Sequence, residues 1–296
     1  PKPPTLATSL NNLSALYATQ GKNPHAFSLM MRARGIEDTM IDQVSGFTSS
    51  ERTLQYLGSI QGEIETFFSL IAKRMKGDKA ACRQAFEVWM RRKGVVLEAQ
   101  RRMQQALLEA EDIEANQVFE KLSQTRSRLA QITFAGPGKE EVEAYRKNLK
   151  ELNDRREALE ARLSRLSRPY AAARKAGKVT VEELAGALPA GTALVDFARI
   201  KVFDFKAKGK EPEWLPAHYL AFVLKPSNGQ EVALLDLGPA KNIDEGVDAF
   251  RYALAQRQDA EALKSGRRLH ALVFAPVEKA LGGAERVFIS PDGALS

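Results

Sequence analysis

The sequence predicts an all-helical first part followed by an α/β sheet layer. Up to about residue 168, apolar residues recur at steps of three and four, which is the period of amphipathic helices. After Gly191 the pattern changes to short apolar runs that are rich in β-favouring residues and bounded by turn residues. Three such runs, then two helical segments and one more apolar run, indicate strands covered by helices, which is the order of an α/β layer.

Residues 1–35 are predicted to form one helical repeat. Leucines at helical spacing mark a first helix, and the Gly-Lys-Asn-Pro turn at 21–24 separates it from a second. The run at 9–17 together with this turn resembles a tetratricopeptide repeat, a helix pair with a period of about 34 residues. Because one such pair cannot bury its apolar face alone, we expect it to be the terminal member of an array that binds a protein partner.

Residues 36–178 are predicted to form an all-helical spacer. A capping box at 48–51 opens one helix of the spacer, and Gly77 with Asp78 ends that helix and caps the next one. From about residue 95 to residue 132 we expect helix without interruption, because this stretch contains no helix breaker.

The spacer closes with a predicted antiparallel helical hairpin at about 95–168. Its turn is expected at 134–138, where a Gly-Pro-Gly sequence cannot continue a helix. The heptad positions of the second helix are Val142, Tyr145, Leu149, Leu152, Arg156, Leu159, Leu163 and Leu166. The facing positions of the first helix are Val118, Leu122, Thr125, Leu129 and Ile132. Arg156 is the charged residue of this seam, and we expect its replacement by leucine to stabilise the hairpin.

Residues 179–296 are predicted to form the sheet layer. A capping box from Thr180 to Glu183 starts a short helix. The expected strands are 192–197 onward, 218–224 and 231–237, and the expected helices are 242–258, with a cap from Asn242 to Glu245, and 266–281. The last apolar run, 286–290, is expected to be a buried strand that ends in the Ser-Pro-Asp-Gly turn at 290–293. Since neighbours of such a strand are expected on both sides, we interpret the sequence as an internal piece of a longer protein.

Composition and charge narrow the class of protein. No stretch approaches the roughly 18 apolar residues that span a bilayer, so we expect no membrane partner. A single cysteine, Cys82, excludes an internal disulfide and fits a reducing, cytoplasmic compartment.

The net charge of +7 arises in the first 178 residues, where acids and bases alternate as on solvated helix faces. A nucleic-acid surface between Lys73 and Arg102 is the least favoured interpretation, and it would require binding that weakens steeply with salt.

Few residues are candidates for chemistry. Cys82 belongs to a charged helix, where a helix-surface or interhelix position is expected. His25 belongs to the repeat, His218 starts a strand and His270 lies in a helix, and no two of them have the spacing of metal ligands. The Asp-Gly pair at 292–293 is typical of a turn. We therefore expect no catalytic, cofactor-binding or metal-binding residue in this chain, and no cofactor.

Several blocks of the last part resemble the CHAT domain, a family of caspase-fold proteins attached to tetratricopeptide repeats. These blocks are residues 192–197, 219–224, 235–238 with 243–244, 272–276 and 289–295. Blocks of the spacer are similar to the linker of those proteins, namely Ser50-Glu51 with Tyr56-Leu57, Phe86 with residues 91–95, and the leucine-rich helix ending at Ser167. The order of the blocks and the attached repeat carry the resemblance.

The resemblance implies that residues 179–296 are the N-terminal portion of a caspase/separase-like sheet domain. It also implies a cysteine peptidase that acts on peptide or protein substrates through a His–Cys pair, in which the His favours the reactive thiolate. Both family motifs, a His-Gly after one core strand and a Cys after the next, follow the block at 289–295, so we expect this chain alone to be inactive. The alternative is a non-catalytic interaction scaffold with a degenerate CHAT domain, and the sequence of the parent beyond the last block distinguishes the two.

Overall fold

The computed structural model of the chain combines helices with one four-stranded sheet, as the sequence predicts. It describes residues 3–47, 50–106, 113–135, 142–166, 179–207, 211–225 and 231–296. The chain divides into two compact units. Unit 1 contains Pro1–Ser14, Ser28–Gln61 and Met90–Val179, and unit 2 contains Ala15–Phe27, Gly62–Trp89 and Thr180–Ser296.

The described residues before the sheet are helical. The helices are α1 Pro3–Thr19, α2 Asn23–Phe47, α3 Ser50–Ser59, α4 Gln61–Leu70, α5 Lys79–Ala106, α6 Ile113–Ala135 and α7 Val142–Leu166. The predicted turn between the first two helices is confirmed, and Gly21 adopts a positive φ of 76° there. α2 continues well past residue 35, so the boundary expected for the repeat lies inside a helix.

The helix boundaries follow the breakers in the sequence with one difference. Asp78 caps α5 as predicted, because its carboxylate accepts a hydrogen bond from the Ala81 backbone N–H at 3.0 Å. The helix predicted after residue 51 is interrupted at Ile60, where two flanking glycines weaken it, and it ends in a π-helical turn, Ile71–Met75. Three predicted features lie outside the described residues. They are Thr48 of the expected capping box, part of the helix expected at 95–132, and the Gly-Pro-Gly of the hairpin turn.

In unit 1, a buried charge network joins α1, α2 and α5. The guanidinium of Arg34, 1% exposed, donates to Asn11 Oδ1 at 3.0 Å and to Glu37 Oε1 at 2.6 Å. Glu37 also accepts a hydrogen bond from Arg92 Nη2 at 3.1 Å. Burial lowers the pKa of Arg92 from its ordinary value, although the carboxylates of Asp38 and Glu37 oppose the shift. Glu37 is therefore an anion that two buried arginines share.

In unit 1, α6 and α7 of the predicted hairpin pack against each other, whereas the first predicted residues of its first arm, 95–106, belong to α5. The buried contact between α6 and α7 contains Val118, Leu122 and Leu163, with Leu159 packed against them. Near one end of the hairpin, Arg162 of α7 donates to Glu114 of α6 at 2.9 Å. Because Glu114 is near the start of α6 and Arg162 is near the end of α7, the two helices are antiparallel.

A charged cluster at the hairpin seam allows a test of the packing. Arg126 Nη2 lies 2.5 Å from Glu160 Oε1, whereas Arg156 Nε lies 3.7 Å from the same oxygen. Arg156→Leu is expected to raise the free energy of unfolding by up to about 1 kcal/mol, because Glu160 keeps its closer partner and the seam gains apolar area. Arg126→Leu, the matched change, is expected to lower it by about 2 kcal/mol. Urea denaturation followed by circular dichroism measures both, and a lower stability for Arg156→Leu would contradict the seam assignment.

Unit 2 is built on a mixed sheet in the strand order β3-β2-β1-β4. The strands are β1 Thr192–Phe203, β2 Trp214–Leu224, β3 Val232–Pro239 and β4 Arg286–Ser290, so each run predicted as a strand is confirmed as one. β1 pairs antiparallel with β2 and parallel with β4, and β2 pairs antiparallel with β3. β1, β3 and β4 therefore run in the same direction and end at the same edge of the sheet.

After Thr180, the described part of unit 2 contains four α-helices. They are α8 Val181–Ala187 before β1, and α9 Ala240–Ala255, α10 Asp259–Val273 and α11 Ala275–Leu281 between β3 and β4. The capping box of α8 is confirmed, with Thr180 and Glu183 exchanging side-chain to backbone hydrogen bonds.

Two predicted helix starts are wrong. α9 begins at Ala240, and its N-cap residue is Pro239 without a side-chain hydrogen bond, so Asn242 does not cap it. The strand β3 passes directly into this helix, which leaves no loop for an Asn cap. The helix predicted at 266–281 begins earlier, at Asp259, and is divided at Phe274, because Pro276 lacks the N–H that a continuous helix requires.

One face of the sheet is covered by the helices that follow β3. Buried side chains of β1 and β2, including Val195 and Val223, pack against Ile243 and Val247 of α9 and Val277 of α11. Residues directly opposite each other on β1 and β2, such as Val195 and Val223, share this face.

The other face is covered by α4 and the first part of α5. The ring of Phe222 in β2 lies 5.3 Å from that of Phe86 and 6.1 Å from that of Phe68. Beside them, the Trp89 indole N–H donates to Asp196 of β1 at 3.1 Å. Residues 62–89, predicted to belong to the spacer, are thus a helical layer of the sheet unit, which has helices on both faces.

The expectation that β4 is buried is wrong. Phe288 and Ile289 are 49% and 57% exposed. Adjacent residues of a strand point to opposite faces, so β4 exposes a large apolar side chain on each face, although Val287 packs against the core that includes α9 and α11. The cause is its place at the edge of the sheet, where it pairs with β1 on one side and with no other strand of the described residues.

Candidate functional site

The carboxyl ends of the parallel strands place two polar clusters at one edge of the sheet. In α/β proteins this edge is where ligands and catalytic residues are usually found. Beyond the last β1–β4 pair, Asp196 with Ser290, β1 continues through Arg199, and Arg199 lies opposite Tyr219 of β2. The residues that follow β4 fold back over this part of β1.

The first cluster is centred on Tyr219, whose side chain is fully buried. Its hydroxyl donates to Asp244 Oδ1 of α9 at 2.8 Å and accepts a hydrogen bond from the Ala294 backbone N–H at 2.9 Å. The Arg199 guanidinium donates to Asp244 Oδ2 at 3.1 Å. Burial first, and then the hydrogen bond to Asp244, raise the pKa of Tyr219 to about 12. The hydroxyl therefore stays protonated at neutral pH and acts as a fixed hydrogen-bonding group.

The Ser-Pro-Asp-Gly turn completes this cluster. Asp292 Oδ2 accepts a hydrogen bond from the Arg199 backbone N–H at 2.7 Å. Gly293 has a φ of +59°, and a Cβ on it would lie 2.6 Å from Tyr219 Oη and 2.7 Å from Arg199 Cδ. The turn therefore requires glycine for two reasons, its backbone conformation and its close approach to two side chains.

Side chains also close the free edge of β1 beyond the end of β4. The backbone N–H groups of Arg199, Lys201 and Phe203 donate to Asp292, Glu65 and Ser69, at 2.7, 3.1 and 2.8 Å. These three N–H groups alternate along the strand, so they point to the same side. With these bonds, no strand can extend the sheet along this part of β1.

The second cluster contains His218, Asp236 and Lys73. His218 Nδ1 lies 2.8 Å from Asp236 Oδ1, and because a carboxylate only accepts, Nδ1 carries the proton. Lys73 Nζ, from the π-helical turn, donates to Asp236 Oδ2 at 2.6 Å, and the Gly238 backbone N–H donates to Oδ1 at 2.9 Å. Burial alone would raise the pKa of Asp236, but these hydrogen bonds outweigh it and hold the pKa below its ordinary value.

The lowered pKa of Asp236 predicts a pH dependence of stability. A carboxyl group whose pKa is lower in the folded state stabilises the fold above its unfolded pKa of about 3.9, and this contribution is lost as the pH falls through the folded pKa. Asp236→Asn is therefore expected to destabilise unit 2 at pH 7 and to differ progressively less from the wild type as the pH is lowered below about 4. Urea midpoints measured between pH 2.5 and 7 test this, and a difference that is constant with pH would contradict it.

The structure does not bring the other candidate residues together. Cys82 is 2% exposed, and its Sγ donates to the Lys76 carbonyl at 3.5 Å, so the surface alternative is wrong. Burial raises the pKa of the Cys82 thiol, which disfavours a reactive thiolate. His25 stacks on Tyr17 at 5.7 Å, and His270 lies 3.7 Å from Glu278.

Sequence reasoning missed the residues that organise this edge. Arg199 and Tyr219 interrupt apolar strand runs, which is the signal that could have marked them, and the Asp-Gly pair was correctly placed in a turn but without its partners. Within the described ranges, no group of three or more His, Cys, Asp and Glu side chains could hold a metal ion. Among the same residues, no helix is long and apolar enough to cross a membrane.

No protein-family model, no curated protein and no solved structure matches the chain. The function is therefore inferred from the geometry of the sheet edge together with the sequence blocks that form it.

Proposed function

We propose that this chain supplies the regulatory, N-terminal part of a repeat-fused, caspase-like cysteine peptidase of the CHAT family. In this proposal residues 1–35 end a partner-binding array, the helical hairpin is a spacer, and unit 2 carries the first strands of the peptidase sheet. The catalytic His and Cys belong to strands that follow residue 296 in the parent protein.

The observation that carries the proposal is the open outer side of β4. Parallel strands are normally buried on both faces and lie inside a sheet, but β4 is parallel to β1 and exposes both Phe288 and Ile289. The free part of β1 is closed by side chains, whereas β4 is the last strand in the described sheet and pairs with β1 alone among its strands. An apolar strand at the end of a sheet supports further strands of the same sheet beside β4.

The layers of unit 2 are a second support. Helices lie on both faces of a sheet whose strands β1, β3 and β4 are parallel, which is the architecture that the resemblance implies for this portion. The same edge holds the polar cluster around Tyr219, so chain that continues after the turn at 290–293 starts from the edge where α/β proteins place their active sites.

The helix pair at the start supports an upstream array. Ala7 and Leu10 of α1 pack against Ala33 of α2, while Leu6 and Leu13 of α1 are 37% and 43% exposed. Leu6 and Leu13 are seven residues apart and share one face of the helix. An exposed apolar face on the first helix of a repeat supports coverage by a preceding repeat.

The test is to extend the chain to the full parent and to measure peptide cleavage. The parent sequence after residue 296 is expected to encode a His-Gly after one core strand and a Cys after the next. The longer chain is then expected to cleave members of a peptide panel ending in Arg, Lys, Asp or Leu, and the Cys→Ala variant of that downstream residue is expected to be inactive. A parent that folds without this His–Cys pair would overturn the peptidase and leave the scaffold alternative.

The chain of 296 residues alone provides the control for that assay. It is expected to cleave no peptide, because a cysteine peptidase needs a thiolate beside a His and donors for the oxyanion. Cys82→Ala is likewise expected to cleave no peptide. It is expected to change the free energy of unfolding by no more than about 1 kcal/mol, since the two side chains are of similar size. Turnover by the wild type that disappears in Cys82→Ala would place the nucleophile in α5 and contradict the proposal.

A further inference from the structure

We propose that Tyr219, Asp244 and Arg199 form a latch through which α9 fixes the backbone of residues 292–294, and thereby the direction of the chain that follows. The latch rests on the proposed function, because in a caspase-like peptidase the chain after this turn leads to the catalytic residues. It goes beyond that function because it makes α9 the helix that controls how the catalytic residues after the turn are positioned.

Two neighbouring strands hold the turn. The Arg199 backbone N–H on β1 donates to Asp292 Oδ2 at 2.7 Å, and Tyr219 Oη on β2 accepts from the Ala294 backbone N–H at 2.9 Å. Arg199 and Tyr219 are paired across the two strands, so the anchors are fixed relative to each other by the sheet. Gly293 lies between them, with no room for a side chain. The backbone from 292 to 294 is therefore held on both sides of one glycine.

α9 sets the orientation of these anchors. Asp244 accepts a hydrogen bond from the Tyr219 hydroxyl at 2.8 Å. The lone pairs of the Tyr219 oxygen are therefore free to accept a hydrogen bond from the Ala294 backbone N–H. The same carboxylate accepts from the Arg199 guanidinium at 3.1 Å. A displacement of Asp244 with α9 removes both interactions at once, so the position of the helix and the position of the turn are coupled.

The same helix holds the end of the segment directly. The Arg251 guanidinium donates to the Ser296 carbonyl oxygen at 2.5 Å. Asp244 and Arg251 are seven residues apart and therefore lie on one face of α9. One helical face thus holds residues 292–296 at two points, one through Tyr219 and one directly.

Hydrogen–deuterium exchange of the full 296-residue chain tests the latch. In Tyr219→Phe, the amides of a peptide covering residues 291–296 are expected to exchange about three- to tenfold faster than in the wild type, because Ala294 loses its acceptor. Tyr252→Phe is the matched control, since Tyr252 also belongs to the α9 region and is 63% exposed, and it is expected to change nothing. Asp244→Ala, which keeps Tyr219, is expected to produce the same acceleration.

Unchanged exchange in both Tyr219→Phe and Asp244→Ala would overturn the latch, whatever the longer chain does. In the longer chain, the latch predicts that Tyr219→Phe lowers kcat about tenfold with little change in KM, because the substrate pocket is kept while the reacting groups are displaced. Equal loss in Tyr252→Phe would also overturn it. Accelerated exchange together with a longer chain that cleaves nothing would support the latch and overturn the proposed peptidase, so the two failures are distinguishable.

Discussion

Glu37→Ala is expected to lower the free energy of unfolding of unit 1 by about 3–5 kcal/mol, because it leaves two buried guanidinium groups without their shared anion. Arg34 and Arg92 are 1% and 7% exposed, and both donate to Glu37. Asn11 remains as a neutral partner of Arg34, and Asp38 remains 3.5 Å from Arg92, but neither replaces a carboxylate that contacts both cations.

Urea denaturation followed by circular dichroism measures this loss. Glu120→Ala on α6 is the matched control, since the Glu120 side chain is exposed, and it is expected to change the free energy of unfolding by less than about 0.5 kcal/mol. A loss below about 1 kcal/mol for Glu37→Ala would show that the arginines do not depend on this carboxylate and would contradict the network.

Phe222→Ala is expected to destabilise unit 2 by about 3–5 kcal/mol. Its ring is fully buried between Phe86 and Phe68, so truncation opens a cavity between the sheet and the helical layer of α4 and α5. Both tryptophans of the chain, Trp89 and Trp214, belong to unit 2, so the midpoint of their fluorescence change in urea reports this loss.

Phe288→Ala is the control for Phe222→Ala, because it removes the same side chain from the exposed strand β4. It is expected to cost less than about 1 kcal/mol, since Phe288 is 49% exposed. If the two variants lost equal stability, residues 62–89 would not be a packed layer of the sheet.

The sequence predicted the individual helices and strands better than it predicted which of them pack together. Periodicity and turn residues identified the strands and several helix ends, because those features depend on residues close together in the chain. They did not show that residues 62–89 belong with the sheet. The helix carrying Phe68 has the same three- and four-residue pattern whether its partner is another helix or a sheet face, and the period does not distinguish the two.

The contacts around Arg199 and Tyr219 at the sheet edge could not be predicted, because they join residues that are far apart in the chain. The contact between Arg199 and Asp292 joins residues 93 positions apart, and it depends on how far β4 extends along β1. The buried position expected for β4 was wrong because a run of apolar residues indicates a strand but does not show whether neighbours cover it. The turn chemistry of Asp292 and Gly293 was predictable, whereas their partners were not.

We propose that β4 is an internal strand of a larger peptidase sheet in the parent protein. Hydrogen–deuterium exchange of residues 286–290 tests it most directly, compared between the chain of 296 residues and the full parent. We expect exchange of this strand to be at least about tenfold slower in the parent, because a neighbouring strand would bond the backbone groups on its outer side. Exchange that is equally fast in both proteins would contradict the claim, because β4 would then be a true edge of the sheet.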